Sequence, residues 1–80
     1  MADFTIRIPR VSVQISEAEL TELLVAHGAQ VAEGDPLFII ATDKTESEVE
    51  AGATGMVHWT GAIGTVYDIG AEIGEIRPLG

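Results

Sequence analysis

Lys44 is the only lysine in an 80-residue chain that carries 13 acidic residues and a net charge of −9. It lies in Ile39-Ile40-Ala41-Thr42-Asp43-Lys44-Thr45, where an apolar run breaks into four polar residues before the acidic alternation Glu46-Ser47-Glu48-Val49-Glu50. An amine on a flexible four-carbon stem is a nucleophile once deprotonated, and acylation converts it to an uncharged, stable amide. A lysine at a turn tip also keeps a loop soluble, and composition by itself favours that plainer role. Asp43 suits the turn, since its short side chain can cap nearby backbone N–H groups. The remaining candidates for chemistry are few. The chain has no cysteine, so a thiolate nucleophile or thiolate metal site is excluded. It has no serine-nucleophile motif and no phosphate-cradling glycine loop. His27 and His58 have no carboxylates at metal-ligand spacing and read as surface or structural histidines. A stand-alone enzyme is not expected.

The elements that hold this segment show in an internal repeat. A shift of 36 residues brings Leu20 onto Met56, Leu23 onto Trp59, Gly28 onto Gly64, Gly34 onto Gly70, Leu37 onto Ile73 and Ile40 onto Ile76. Glycines paired at fixed spacing suggest turns that require φ > 0. Two matched halves in one short chain suggest two similar β-rich units packed face to face, with Lys44 between them. Phe4-Thr5-Ile6-Arg7-Ile8 alternates up to Pro9 and reads as a strand. Residues 10–16 read as a surface loop and 35–42 as a buried strand. In the segment 46–51, Ser47, Val49 and Ala51 fall on one face and three glutamates on the other. Residues 50–55 form a glycine-rich turn, and three further strands follow.

One segment pulls two ways. Ser16 and Glu19 could form a capping box for a helix over residues 16–28, with Gly28 closing it. Its counterpart in the repeat, Gly55 to Gly64, holds glycines that cost about 1 kcal/mol each in a helix interior. We therefore read residues 18–26 as a strand. The whole is all-β, with seven or eight short strands in a sandwich or flattened barrel. Its expected core includes Val31, Leu37, Phe38, Ile40, Met56 and Trp59.

Length allows one domain, residues 1–80, with a thin core. No apolar run approaches the roughly 20 residues of a membrane-spanning helix, and no signal or transit peptide is evident. The expected setting is cytoplasmic. The negative charge argues against nucleic acid and against anionic membranes.

Thr42-Asp43-Lys44-Thr45 followed by an acidic alternating strand resembles the lipoyl domains of 2-oxo acid dehydrogenase complexes, which belong to the biotinyl/lipoyl attachment family. Ile8-Pro9, Glu17-Ala18, the Gly28–Leu37 segment with Gly34-Asp35, and Gly55, Val57, Gly64, Thr65, Gly70 and Ile73 fit the family pattern. Three positions depart from it: Ala41 replaces an acidic residue, Thr45 a small apolar one, and Val11-Ser12-Val13-Gln14 a glycine-containing loop. The resemblance implies two four-stranded antiparallel sheets with quasi-twofold symmetry. It implies lipoic acid in amide linkage to Lys44, presented by Thr42, Asp43 and Thr45, with no metal and no catalytic residue. The implied partners are a lipoate ligase or lipoyl transferase, a thiamine-dependent 2-oxo acid decarboxylase, an acyltransferase and the flavoprotein dihydrolipoamide dehydrogenase. The domain would be monomeric and belong to, or serve, the acyltransferase component. A biotin carrier would set the lysine between methionines, where Asp43 and Thr45 stand. An unmodified interaction module of the same fold is the other alternative.

Overall fold

The computed structural model describes residues 3–10, 15–43 and 45–78. Among these residues, eight strands account for the regular structure: β1 (Phe4–Arg7), β2 (Glu17–Leu23), β3 (Gln30–Val31), β4 (Pro36–Ala41), β5 (Glu46–Glu50), β6 (Gly55–Trp59), β7 (Thr65–Asp68) and β8 (Glu72–Arg77). They form two four-stranded sheets, ordered β1-β8-β6-β3 and β5-β4-β2-β7, with every neighbouring pair antiparallel.

The repeat is a structural symmetry. The 36-residue shift carries β4 onto β8 along its whole length and β3 and β2 onto β7 and β6. Register supplies the fourth pair. Phe4 faces Ile76 as Ser47 faces Ile40, and Thr5 faces Glu75 as Glu48 faces Ile39, so β1 matches β5. One sheet order thus maps onto the other strand by strand. The loop hydrogen bonds repeat too. Leu24 N–H donates to Leu37 O at 2.8 Å and Thr60 N–H to Ile73 O at 2.9 Å. Gly34 N–H donates to Ala51 O and Gly70 N–H to Ile8 O, both at 2.8 Å. The four turn glycines adopt φ of 86° and 86° (Gly28, Gly64) and 95° and 89° (Gly34, Gly70). This is the left-handed region, where a Cβ is penalised.

Inward side chains of the strands fill a core between the sheets, with a register shift between Pro36 and Phe38 turning both Leu37 and Phe38 inward. Ile6, Leu20, Leu37, Phe38, Ile40, Val57, Ile73 and Ile76 are buried there. Full burial of such a side chain stabilises by about 1.5–3 kcal/mol. The segment that could have been a helix is β2, and it ends at Leu23 rather than continuing to residue 26. A bend at Leu24 and Val25 then leads to the Gly28 turn.

Two core expectations need correction. Met56 is 40% exposed. The cause is a bulge at Thr21. Leu20 pairs with Ile40 and Glu22 with Ile39, so Thr21 is the extra residue on β2, and its hydroxyl donates to Ile39 O at 3.1 Å. Before the bulge, the structural match therefore lies one residue further on than the repeat suggests. Leu20 corresponds to Val57, and Glu19 to Met56. A one-residue slip exchanges the faces of a strand, so Met56 points out as Glu19 does. Trp59 is half-buried. Its indole N–H donates to Val25 O at 3.0 Å, and its ring meets Phe38 edge-on at 6.0 Å between centroids. Residues 11–14, within the expected surface loop, lie outside the described residues.

Candidate functional site

The connection from β4 to β5 is a hairpin. Ala41 and Glu46 form its last strand pair, leaving four residues, 42–45, at the tip. Thr42 N–H donates to Thr45 O at 2.8 Å, and the Thr42 hydroxyl reaches the same carbonyl at 3.4 Å. The Thr45 hydroxyl lies 3.4 Å from Glu46 O. The two threonines therefore close the base of the tip from both strands. Asp43 is exposed and not left-handed. The tip is thus neither of the primed two-residue turns, which need φ > 0 at their first central residue. Lys44 itself lies outside the described residues. Its neighbours Asp43 and Thr45 belong to the hairpin that joins the two halves of the repeat.

A groove of about 550 Å³ runs beside the hairpin, lined by Ser16, Glu17, Glu19, Thr42, Asp43 and Val66 among others. Three carboxylates border it, and Val66 is 53% exposed. The sequence pattern did not single out Val66, and it cast Glu19 as a helix-capping residue. What brings both to the hairpin is register: Glu19 stands between Ala41 and Val66. An expectation of strand for residues 18–26 contained half of that signal, but the pairing partners could not be read from β2 alone.

The histidines serve the scaffold. Nδ1 of His27 accepts the Trp59 backbone N–H at 3.0 Å, which pins the β2–β3 turn onto β6. The His58 ring meets His27 edge-on at 5.1 Å. On β8, the Arg77 guanidinium hydrogen-bonds Glu75 and holds its carboxyl below the usual carboxylate range, despite some opposing desolvation.

The fold can be set beside known proteins. It matches the solution structure of the lipoyl domain of the 2-oxoglutarate dehydrogenase complex from Azotobacter vinelandii, with a TM-score of 0.78 over 96% of this chain and 99% of that one. The two are 23% identical, so the likeness is one of fold. None of the curated proteins compared matches the chain. A family model described as "Biotin-requiring enzyme", covering biotinyl and lipoyl attachment domains, matches residues 4–76, from the start of β1 almost to the end of β8. With its two symmetric four-stranded sheets and its match over nearly the full length, the chain belongs to the biotinyl/lipoyl attachment family.

Proposed function

We propose that Lys44 is the attachment point for lipoate and that the chain is a lipoyl carrier serving a 2-oxo acid dehydrogenase complex. The observation that carries this reading is the closed four-residue hairpin between β4 and β5, which contains the only lysine of the chain. The family implies a covalently held lipoate or biotin, and the residues present fit such a linkage. No second lysine competes for modification, and both described neighbours, Asp43 and Thr45, are exposed to an approaching enzyme. Asp43 and Thr45 stand where a biotin carrier has methionines, which favours lipoate.

Bound there, lipoate would supply a disulfide that accepts an acyl group and two electrons. The chain's own part is to hold the anchor. The Thr42–Thr45 bond fixes the tip on a rigid sheet, and tethering keeps a carried group at high effective concentration near successive active sites. On this reading the domain is a monomer that catalyses nothing and works in the cytoplasm. Its partners are a lipoate ligase or transferase, a thiamine-dependent decarboxylase, an acyltransferase and dihydrolipoamide dehydrogenase. It is part of, or serves, the acyltransferase component.

Co-expression with a lipoate ligase and, separately, with a biotin ligase tests this by intact mass. One lipoyl adduct, absent from Lys44→Arg, is expected. A biotinyl adduct would support the carrier of the other cofactor. No adduct from either ligase would favour an unmodified interaction module. Transposing Asp43 and Lys44 should also stop modification while leaving the circular dichroism spectrum unchanged. Full lipoylation of the transposed protein would remove turn geometry as the recognition signal.

A further inference from the structure

The sheet β5-β4-β2-β7 contains neither lysine nor arginine in its strands, and its outer face is ordered in rows by register. In the row next to the hairpin, Ala41 stands between Glu46 on β5 and Glu19 on β2. In the next, Ile39 stands between Glu48 and Glu22. Directly opposed residues on neighbouring strands share a face. The inner face is held by Leu20 and Ile40, both fully buried, while all four glutamates are exposed. The result is an aliphatic column, Ile39 and Ala41, that reaches Thr42 and is flanked on each side by a pair of carboxylates.

Among the described residues these carboxylates have no ion-pair partner, and the Arg10 guanidinium donates to Ile15 O instead. Among the described residues, the ion pairs all belong to Arg77 on the other sheet. Arg7 is also on that sheet, and its guanidinium donates to Gly70 O. On the acidic face, Glu17 directly opposes Asp68, a like-charge pair that destabilises the free domain. The two glutamate columns, Glu46 with Glu48 on β5 and Glu19 with Glu22 on β2, lie two strand spacings apart, about 9–10 Å, which is close to the roughly 10 Å width of an α-helix. Within each column the spacing is about 7 Å, near the ~5.4 Å pitch of a helix, and long lysine or arginine stems can bridge the difference.

We propose that this face docks a cationic amphipathic helix of a partner protein. Its apolar stripe would lie on Ile39 and Ala41, and lysines or arginines on both sides of the stripe would reach Glu46 and Glu48 on one flank and Glu19 and Glu22 on the other. A nucleic acid or an anionic membrane is repelled by the same charges. The proposal does not depend on attachment at Lys44.

The test uses the unmodified full chain, labelled with ¹⁵N, and a synthetic helix with a leucine stripe flanked by lysines. A peptide of the same composition in scrambled order is the control. Amide shifts are expected to concentrate in β2, β4 and β5, and the scrambled peptide should bind about tenfold more weakly. Glu22→Gln with Glu48→Gln should weaken binding several-fold. The equal charge change Glu33→Gln with Glu72→Gln, away from this face, should have little effect. Because exposed pairs are screened, affinity should fall as salt shortens the Debye length below about 8 Å. Equal binding of the scrambled peptide, equal weakening by the two double variants, or shifts centred on the other sheet would overturn the proposal. So would concentration-dependent shifts without peptide, which would mark a second copy as the occupant.

Discussion

At the scale of single residues, two glycines are needed for different reasons. A Cβ on Gly55 would run into the Arg77 carbonyl across the β6–β8 ladder. A Cβ on Gly28 would meet nothing within 4 Å, but the backbone there has φ of 86°. Gly28→Ala therefore carries only the left-handed penalty, about 1–2 kcal/mol. Gly55→Ala must push two paired strands apart and should cost about 3 kcal/mol. Urea unfolding measures both, and the reverse order would contradict the packing described for β6. Glu75 gives a second residue-level expectation. Its carboxyl is lowered by the hydrogen bond from Arg77. A carboxyl depressed in the folded state contributes stability above its unfolded value and loses it as pH falls through its folded value. Arg77→Gln should move the Glu75 midpoint, followed by carboxyl ¹³C shifts, back up toward the ordinary range. An unmoved midpoint would show that Arg77 is not the cause.

At the scale of elements, β2 explains where the sequence was legible and where it was not. Its local pattern allowed a helix, and the decision for strand came from the glycines of its counterpart. That worked because the cost of glycine in a helix is a local property of the chain. The bulge at Thr21 is not local. It is defined by which residues of β4 stand opposite, and nothing in Glu19-Leu20-Thr21-Glu22 marks it. The misplacement of Met56 follows from that one hidden residue. The same logic yields a test. Removing Thr21 leaves Leu20 inward, Glu22 outward and Leu23 inward, an unbroken alternation that matches β6 against β8. The deletion should retain the fold, losing chiefly the Thr21–Ile39 hydrogen bond, about 1 kcal/mol. Leu20→Ala, which empties a fully buried site, should cost about 2–5 kcal/mol. Thermal unfolding of the two variants compares them, and a deletion more damaging than Leu20→Ala would mean that the bulge is structurally required.

For the whole molecule, the symmetric scaffold and the asymmetric charge have separate origins. Apolar spacing and turn glycines repeat between the halves, so the twofold body and the place of the hairpin could be anticipated from residues such as Gly34 and Gly70. Charge does not repeat: the outward positions of Glu19, Glu22 and Glu48 in one sheet hold Met56, His58 and Thr5 in the other. Solvent-facing positions are free of packing constraint, and no rule of folding relates them across the axis. Sequence gave the total of −9, and only the register gathered the negative charge of β2 and β5 onto one face. Self-repulsion of this kind opposes the compact state, and salt screens it. The melting temperature should therefore rise with sodium chloride at neutral pH. Relieving about 0.5 kcal/mol corresponds to ~2–4 °C for a domain of this size. Glu48→Lys would place a cation in the middle of the acidic face. It should raise the melting temperature at low salt and flatten its dependence on salt, whereas Glu33→Lys, outside that face, should do less of both. Equal effects from the two substitutions would mean that total charge, rather than its arrangement on β2 and β5, sets the cost.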